Sequence, residues 1–415
     1  MQVLNTSHLP NYAETRSTVI AKVLMATVSL QYIYNLAFNY TPESVRTAFA
    51  GALLVTFLCL AIYAAGRRPE PWQKLIFWSL VLVFVSWMVS STLAFGKFDL
   101  RQAALDVQVY LLVFFLLTFS HRLPLGNLAF WATMVILVGV GFALFGEPIL
   151  YSAAGTTRPQ PITGGDEVIF PTAYFLAANV LIIDTLRRFG ILNPRFAWPV
   201  LLLGVLAVYL YGVRTTWIIL FVYLVGVQFR QSVQFRTQMP LLFAFGLMGL
   251  GVFFGLMDFE RIVGSPVGTW GSGRVTAFVE RLELLAMRDS ALFLFGTGPG
   301  SDAQATSIWW GLRTSHSDVL NIFTERGVLG FVSLLLFVTA LLVKVKSMHG
   351  QIVFLATLAA SAISNGFYSG NGIAFYYFAA IAIAMSLEQK DDSLARTHPS
   401  APLGDTAASP STKPG

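Results

Sequence analysis

Apolar runs long enough to cross a bilayer recur along this chain, and no other feature constrains its fold as much. A bilayer core takes roughly 20 apolar residues per helix. About twelve such runs occur, near 18–38, 46–65, 72–95, 103–119, 125–146, 168–186, 197–213, 215–229, 239–257, 318–343, 350–366 and 371–387. Composition bears on what the chain is not. Of its 415 residues 55% are hydrophobic and only 12% charged, about half the ~25% of a soluble domain. That excludes a soluble fold, a disordered chain, a disulfide scaffold and a nucleic-acid-binding domain. The single cysteine, Cys59, has no intrachain partner for a disulfide. The expected fold is an all-α integral membrane protein.

Sidedness follows from the basic residues, which collect in cytoplasmic loops. Alternate connections carry Arg67 and Arg68, then Arg122, then Arg187, Arg188 and Arg195, then Arg230 and Arg236, then Lys344 and Lys346. Those loops, and both termini, are expected in the cytoplasm. The net charge of +6 therefore needs no acidic partner. The first run follows a polar leader with Glu14 and Arg16 and has no clear small-residue cleavage site after it, so it reads as an uncleaved first helix. The other side holds the one long hydrophilic excursion, about 258–317. Residues 1–387 form the expected membrane domain. The Ser-, Thr-, Pro- and Ala-rich stretch 388–415 reads as a disordered cytoplasmic tail. The chain shows no convincing internal repeat, which counts against a secondary transporter built from two related halves.

Charges on the outer side are few. Arg214 interrupts the apolar run YLYGVRTTWIIL, with one turn to separate two spans. A charge at the centre of a span costs about 3 kcal/mol on insertion scales. A cavity-facing role is favoured over an interfacial Arg that snorkels to headgroups. In GSGRVTAFVERLELLAMRDS, Val275, Phe278, Val279, Leu282, Leu285 and Ala286 fall at helical spacing. They predict a short amphipathic helix on the membrane surface. Arg274, Arg281 and Arg288 recur every seven residues. Attraction to anionic headgroups suffices for Arg281 and Arg288, which read as lipid-headgroup or loop-helix contacts. Arg274 opposes the helix dipole in the first turn, a conflict that a phosphate shared with the free backbone N–H groups would relieve. The stretch LFGTGPGSDAQ alternates Gly296, Gly298 and Gly300, and lacks the strand–helix setting of a dinucleotide fingerprint. His316 opens the tenth span, three residues after Arg313. Alone it reads equally well as an interfacial His bonded to backbone.

Together these residues resemble a family. His316-Ser317, nine residues, Gly327, two residues and Gly330 reproduce the pattern H-[NSQ]-x9-G-x2-[GTQ] of O-antigen ligases, a family that takes in the related Wzy-type polysaccharide polymerases. Arg214 matches that family's Arg at the outer end of an earlier span, and Arg274, in SGRVTAF, its Arg early in the loop helix. GTGPG resembles the glycine-rich stretch before the His motif. The specific part of the resemblance covers about 205–335.

The resemblance implies about twelve transmembrane helices in a GT-C-like arrangement, with short amphipathic helices in one long periplasmic loop. It also implies a bacterial inner-membrane protein with its active site facing the periplasm. The implied activity is transfer of a glycan from undecaprenyl diphosphate to an acceptor, with ligation onto lipid A-core as first choice. Polymerisation onto a carrier-linked repeat is the alternative, and a polysaccharide transporter or flippase the more remote one. Arg214 and Arg274, with Arg313, would hold the diphosphate, and His316 would take the acceptor's proton. No cofactor, metal or nucleic acid is expected. Asp258, Glu260, Asp166 and Glu167 are the carboxylates a metal would need, and they read as solvated loop charges. The orientation has a direct check. A cysteine at Ser265 should react with an impermeant thiol reagent from outside and one at Thr237 should not; reversed labelling would overturn it.

Overall fold

A computed structural model describes residues 12–37, 41–65, 69–96, 100–151, 156–162, 169–229, 274–303, 317–364 and 371–397. Among these the chain is almost wholly helical. The order is α1 (Tyr12–Ala37), α2 (Glu43–Ala65), α3 (Pro71–Phe95), α4 (Leu100–Thr118), α5 (Leu125–Phe145), α6 (Ile169–Arg188), α7 (Pro194–Tyr211) and α8 (Arg214–Phe229). Then follow α9 (Arg274–Ala286), α10 (Ser290–Phe295), α11 (Asp318–Lys344), α12 (Met348–Ile363) and α13 (Asn371–Thr397). Every predicted run falls on a helix except the one near 239–257, which lies outside the described residues.

Four helical stretches, Pro71–Ala94, Leu125–Phe145, Pro194–Tyr211 and Asp318–Lys344, are long and apolar enough to cross a membrane. Shorter apolar stretches lie in α2, α4, α8, α12 and α13. The protein is membrane-embedded on this evidence. α1 and α6 fall outside both groups; α6 ends on Arg187 and Arg188 and carries Thr172, Asn179, Asp184 and Thr185, all buried. Such residues are tolerated in a membrane protein on faces turned to the bundle interior. The buried runs 172–186 of α6 and 373–387 of α13 mark the core.

Close packing depends on small residues. Gly139 of α5 lies against Leu176 of α6, and Gly204 of α7 lies against Val180 of α6 and Ile136 of α5. Small residues let helix backbones approach where lipid supplies no hydrophobic drive between them. α3 and α11 run antiparallel. Lys344 reaches Glu70 at 3.5 Å, Ser79 and Ser333 exchange hydrogen bonds to each other's carbonyls at 2.7 and 2.8 Å, and the Ser86 hydroxyl donates to the Arg326 carbonyl at 2.6 Å.

A second polar cluster closes the end of the bundle where α11 finishes. Asp184 pairs with Arg187 and Arg188 at 2.5 and 2.6 Å and accepts from the Tyr223 hydroxyl at 2.9 Å. His349 Nε2 lies 3.0 Å from the Thr185 hydroxyl, and its backbone N–H donates to Glu388 at 2.9 Å. The cations Arg187, Arg188 and Lys344 thus share one end, the grouping that the alternation of basic loops predicts.

Three local features differ from the expectation. A hairpin, β1 (Ile149–Tyr151) with β2 (Thr156–Arg158), is antiparallel with Leu150 opposite Thr157. α10 is a further short helix. The last helix runs on to Thr397, past the predicted boundary at 387, through LEQKDDSLART, which is rich in good helix formers.

The α3–α11 seam gives a stability prediction. Ser79→Ala removes one membrane hydrogen bond and should cost only about 0.6 kcal/mol. Ser79→Leu overpacks the contact and should cost about 1–3 kcal/mol. Thermal unfolding of the two variants in detergent would order them.

Candidate active site

The motif glycines lie at a break in a helix. α11 begins with Ser317 as N-cap, its side chain accepting from the Leu320 N–H at 3.4 Å. Its first segment covers residues 318–326 and ends at Gly327, whose φ of 63° and ψ of −160° interrupt the helical ladder. A side chain there would be strained. Its Cβ would also stand 2.5 Å from the Gly296 nitrogen and the Leu294 carbonyl oxygen.

A helix end leaves its last carbonyls without intrahelical partners. Here three of them accept from other parts of the chain. Thr324 O accepts from the Thr297 N–H at 3.1 Å and hydroxyl at 3.0 Å, and Glu325 O from the Gly298 N–H at 3.1 Å. Arg326 O takes the Ser86 bond. The glycine loop is therefore a cap for the broken helix. Gly296, at φ 87°, lets it approach, because a Cβ there would collide with the Glu325 carbonyl. Gly330 is needed for a related reason: its Cβ would strike that of Arg326. Arg326 is buried, its guanidinium 5.1 Å from the Trp87 ring centroid. The nine-residue spacing in the motif is thus the length of the segment between the N-cap and the break.

α9 is fastened to the same segment. Arg281 Nη1 donates to Asp302 Oδ1 at 2.6 Å and to the Asp302 carbonyl at 2.8 Å, with the two side chains 2% and 0% exposed. Asn321 of α11 donates to Asp302 Oδ2 at 3.4 Å. One turn beyond α9, Arg288 Nη1 donates to the Thr324 carbonyl at 2.9 Å. The Gly300 N–H donates to Glu325 Oε1 at 2.9 Å. Desolvation lowers the pKa of both Arg281 and Arg288, and the Asp302 carboxylate pulls each partly back. Breaking a buried pair by removing one partner is destabilising by about 3–5 kcal/mol.

Arg214 opens α8. The turn before it is two residues, with Gly212 in the left-handed conformation at φ 62° capping α7; this is the tight reversal that the sequence requires. Gly204 against Val180 brings Tyr211, at the end of α7, level with the part of α6 that carries Tyr174. The Tyr174 hydroxyl hydrogen-bonds Ser364, and the Ser364 carbonyl accepts from the Asp318 N–H at 3.2 Å. The starts of α8 and α11 therefore share one end of the bundle. Arg274 is the first residue of α9. His316, which precedes the N-cap, and Arg313 lie outside the described residues, as do Asp166, Glu167, Asp258 and Glu260. Among the described residues no three His, Cys, Asp or Glu side chains gather as metal ligands.

For Arg281 and Arg288, expected at lipid headgroups or in loop-helix contacts, the structure shows contacts within the protein. Both turn into the protein, because a carboxylate and a freed carbonyl await them there. Leu282, Leu284 and Met287 are exposed here, interleaved with the exposed Glu283 and Asp289. Asp302, Asn321 and Glu325 were not anticipated as part of the site. The run Thr324-Glu325-Arg326 inside an apolar span was the signal available for Glu325; for Asp302 there was none. Comparison with protein-family models finds no match, and comparison with curated proteins finds none either.

Gly327→Ala should undock the glycine loop. The expected loss is at least about 1–3 kcal/mol from backbone strain alone, with new protease sensitivity in 296–303. Unchanged thermal stability and cleavage would show that the loop does not depend on this close approach.

Proposed function

We propose that the chain is an inverting, metal-independent glycosyltransferase using undecaprenyl-diphosphate-linked glycan as donor. The acceptor we favour is lipid A-core, as in O-antigen ligation, and the active site lies on the periplasmic side of the inner membrane. The observation that carries this reading is the His316–Gly327–Gly330 spacing. Its two glycines have structural work to do, at a helix break capped by the glycine loop, so the match to the motif is more than a chance spacing of common residues. The antiparallel course of the helices adds support, since the starts of α8 and α11 lie opposite the basic end.

In this reading the donor's diphosphate is held by the guanidinium groups of Arg214 and Arg274, together with Arg313, three residues before His316 in sequence. Guanidinium matches phosphate bidentately and keeps its proton at any working pH. His316 accepts the proton of the acceptor hydroxyl as the oxygen attacks the anomeric carbon. The bond from that carbon to the diphosphate oxygen breaks, and the arginines stabilise the charge that develops on the leaving group. Attack opposite the leaving group inverts the anomeric centre. A polymerase would run the same chemistry onto a second carrier-linked repeat.

Purified protein supplied with carrier-linked glycan and either acceptor, in excess EDTA, tests the proposal. Transfer to lipid A-core should persist in the chelator. His316→Ala should lower turnover by about 10² to 10⁴ while donor binding stays near normal. Arg214→Lys and Arg274→Lys should lose both turnover and donor affinity, because the charge remains but the fork is gone. Near-full transfer by folded His316→Ala would end the general-base assignment. Dependence on added Mg²⁺ or Mn²⁺ would end the metal-free one.

A further inference from the structure

We infer that Arg281 and Asp302 are positioning residues: their buried ion pair holds α9, which begins at Arg274, in fixed relation to the segment of α11 that follows His316. The inference rests on the glycan-transfer reading for its functional consequence, though not for its geometry.

α9 is a helix in a connection, with no span of its own to set its place. It is tied at two points. Arg281 meets Asp302, which in turn accepts from Asn321, and Arg288 meets the Thr324 carbonyl. Arg281 grips α9 within its length, and Arg288 holds the chain two residues past its end at Ala286. A second fixed point there restrains the turning of the helix about the first, where a single point would leave a pivot. Both ties end on the first segment of α11, before the break at Gly327. They are thus made to the piece of helix next to His316 and not to the part of α11 packed along α3.

The chemical character of the ties fits this role. Arg281 and Asp302 are almost fully withdrawn from solvent, so Arg281 is not free to reach a substrate. The cation spends its Nη1 donor on both the carboxylate and the backbone carbonyl of one residue, which fixes the loop's backbone along with its side chain. A buried ion pair is weak evidence for added stability over an apolar substitute. Its directionality is what it offers, because a guanidinium fork accepts few arrangements of its partner. Among the described side chains of α9, Leu282 and Leu284 are exposed, and Leu285 is buried on the same helix as Arg281.

The test uses the full-length protein with Cys59→Ser and spin labels at Leu284, on the exposed side of α9, and Leu335, on the exposed side of α11 beyond the break. Pulsed-dipolar distances are measured in nanodiscs for the parent, Arg281→Gln, Asp302→Asn, the double variant and Arg281→Lys. Each is also assayed for transfer from carrier-linked glycan to lipid A-core. The single variants should broaden the 284–335 distance distribution and lower kcat by about a hundredfold, the loss that a misplacement of about 1 Å produces. KM for the acceptor should stay within about twofold, since neither residue touches it. The double variant should be no worse than either single variant, and Arg281→Lys, which keeps the pair without the fork, should recover part of both readouts. A distance distribution unchanged in folded single variants overturns the inference, whatever the activity. A broadened distribution with full turnover overturns its functional half. If single variants do not fold, Arg281→Lys decides alone: parent-like distances with parent-like turnover overturn the inference, and broadening with reduced kcat supports it. Failure of the parent itself to transfer glycan counts against the proposed function, while the distances still decide whether the pair holds α9.

Discussion

The interruption of α11 at Gly327 is the constraint on which the arrangement of α9, the glycine loop and α3 around it depends. An unbroken helix would keep the Thr324, Glu325 and Arg326 carbonyls for itself. Broken, it offers three acceptors inside a membrane protein, where unsatisfied backbone groups are costly. The glycine loop, α9 by way of Arg288, and Ser86 of α3 supply the donors. One backbone irregularity thus gathers a loop, a surface helix and a span around the segment that follows His316. Local departures from helical geometry cluster at functional sites when the surrounding structure over-determines them, and this one is held from three sides.

The same arrangement separates the arginines by task. Arg281, Arg288 and Arg326 are turned inward, to a carboxylate, a carbonyl and a Trp ring. Arg214 and Arg274 stand as the first residues of their helices. The sequence already set Arg274 apart from Arg281 and Arg288, and the structure gives the latter two contacts within the protein. A guanidinium as buried as that of Arg281, 2% exposed, is out of reach of a phosphate.

Much of the helical framework could be read from the sequence. The predicted runs fall on α1 to α8 and α11 to α13, because some twenty apolar residues in a row admit few other structures. The two-residue turn before Arg214 was legible for the same reason, and Gly212 explains how it is made. The hairpin was not legible, since strands of three residues carry too little alternation to recognise. Neither was α10, with six residues. In the candidate site, the residues that stand out locally were visible: a charge between apolar runs at Arg214, and a His with spaced glycines after it. The partnerships were not, because they join distant positions; Arg281 and Asp302 are separated by 21 residues, and Ser79 and Ser333 by 254. Nothing in either local sequence announces the other.

The polar cluster at the basic end bears on the order in which the chain is made. Asp184 meets Arg187 and Arg188 within its own helix, three and four residues on, so its charge is answered as soon as α6 emerges from the ribosome. Tyr223 comes to it later, from α8, and His349 of α12 then meets Tyr223 and Thr185. The seam between α3 and α11 has no such early answer, because the serines of α3 meet their partners only after 254 further residues in one case and 240 in the other. During synthesis α3 must therefore wait in the bilayer with its hydroxyls bonded to its own turns, as Ser91 is to Trp87. α6 needs no such waiting, and the bundle can grow from the carboxylate that arrives already neutralised.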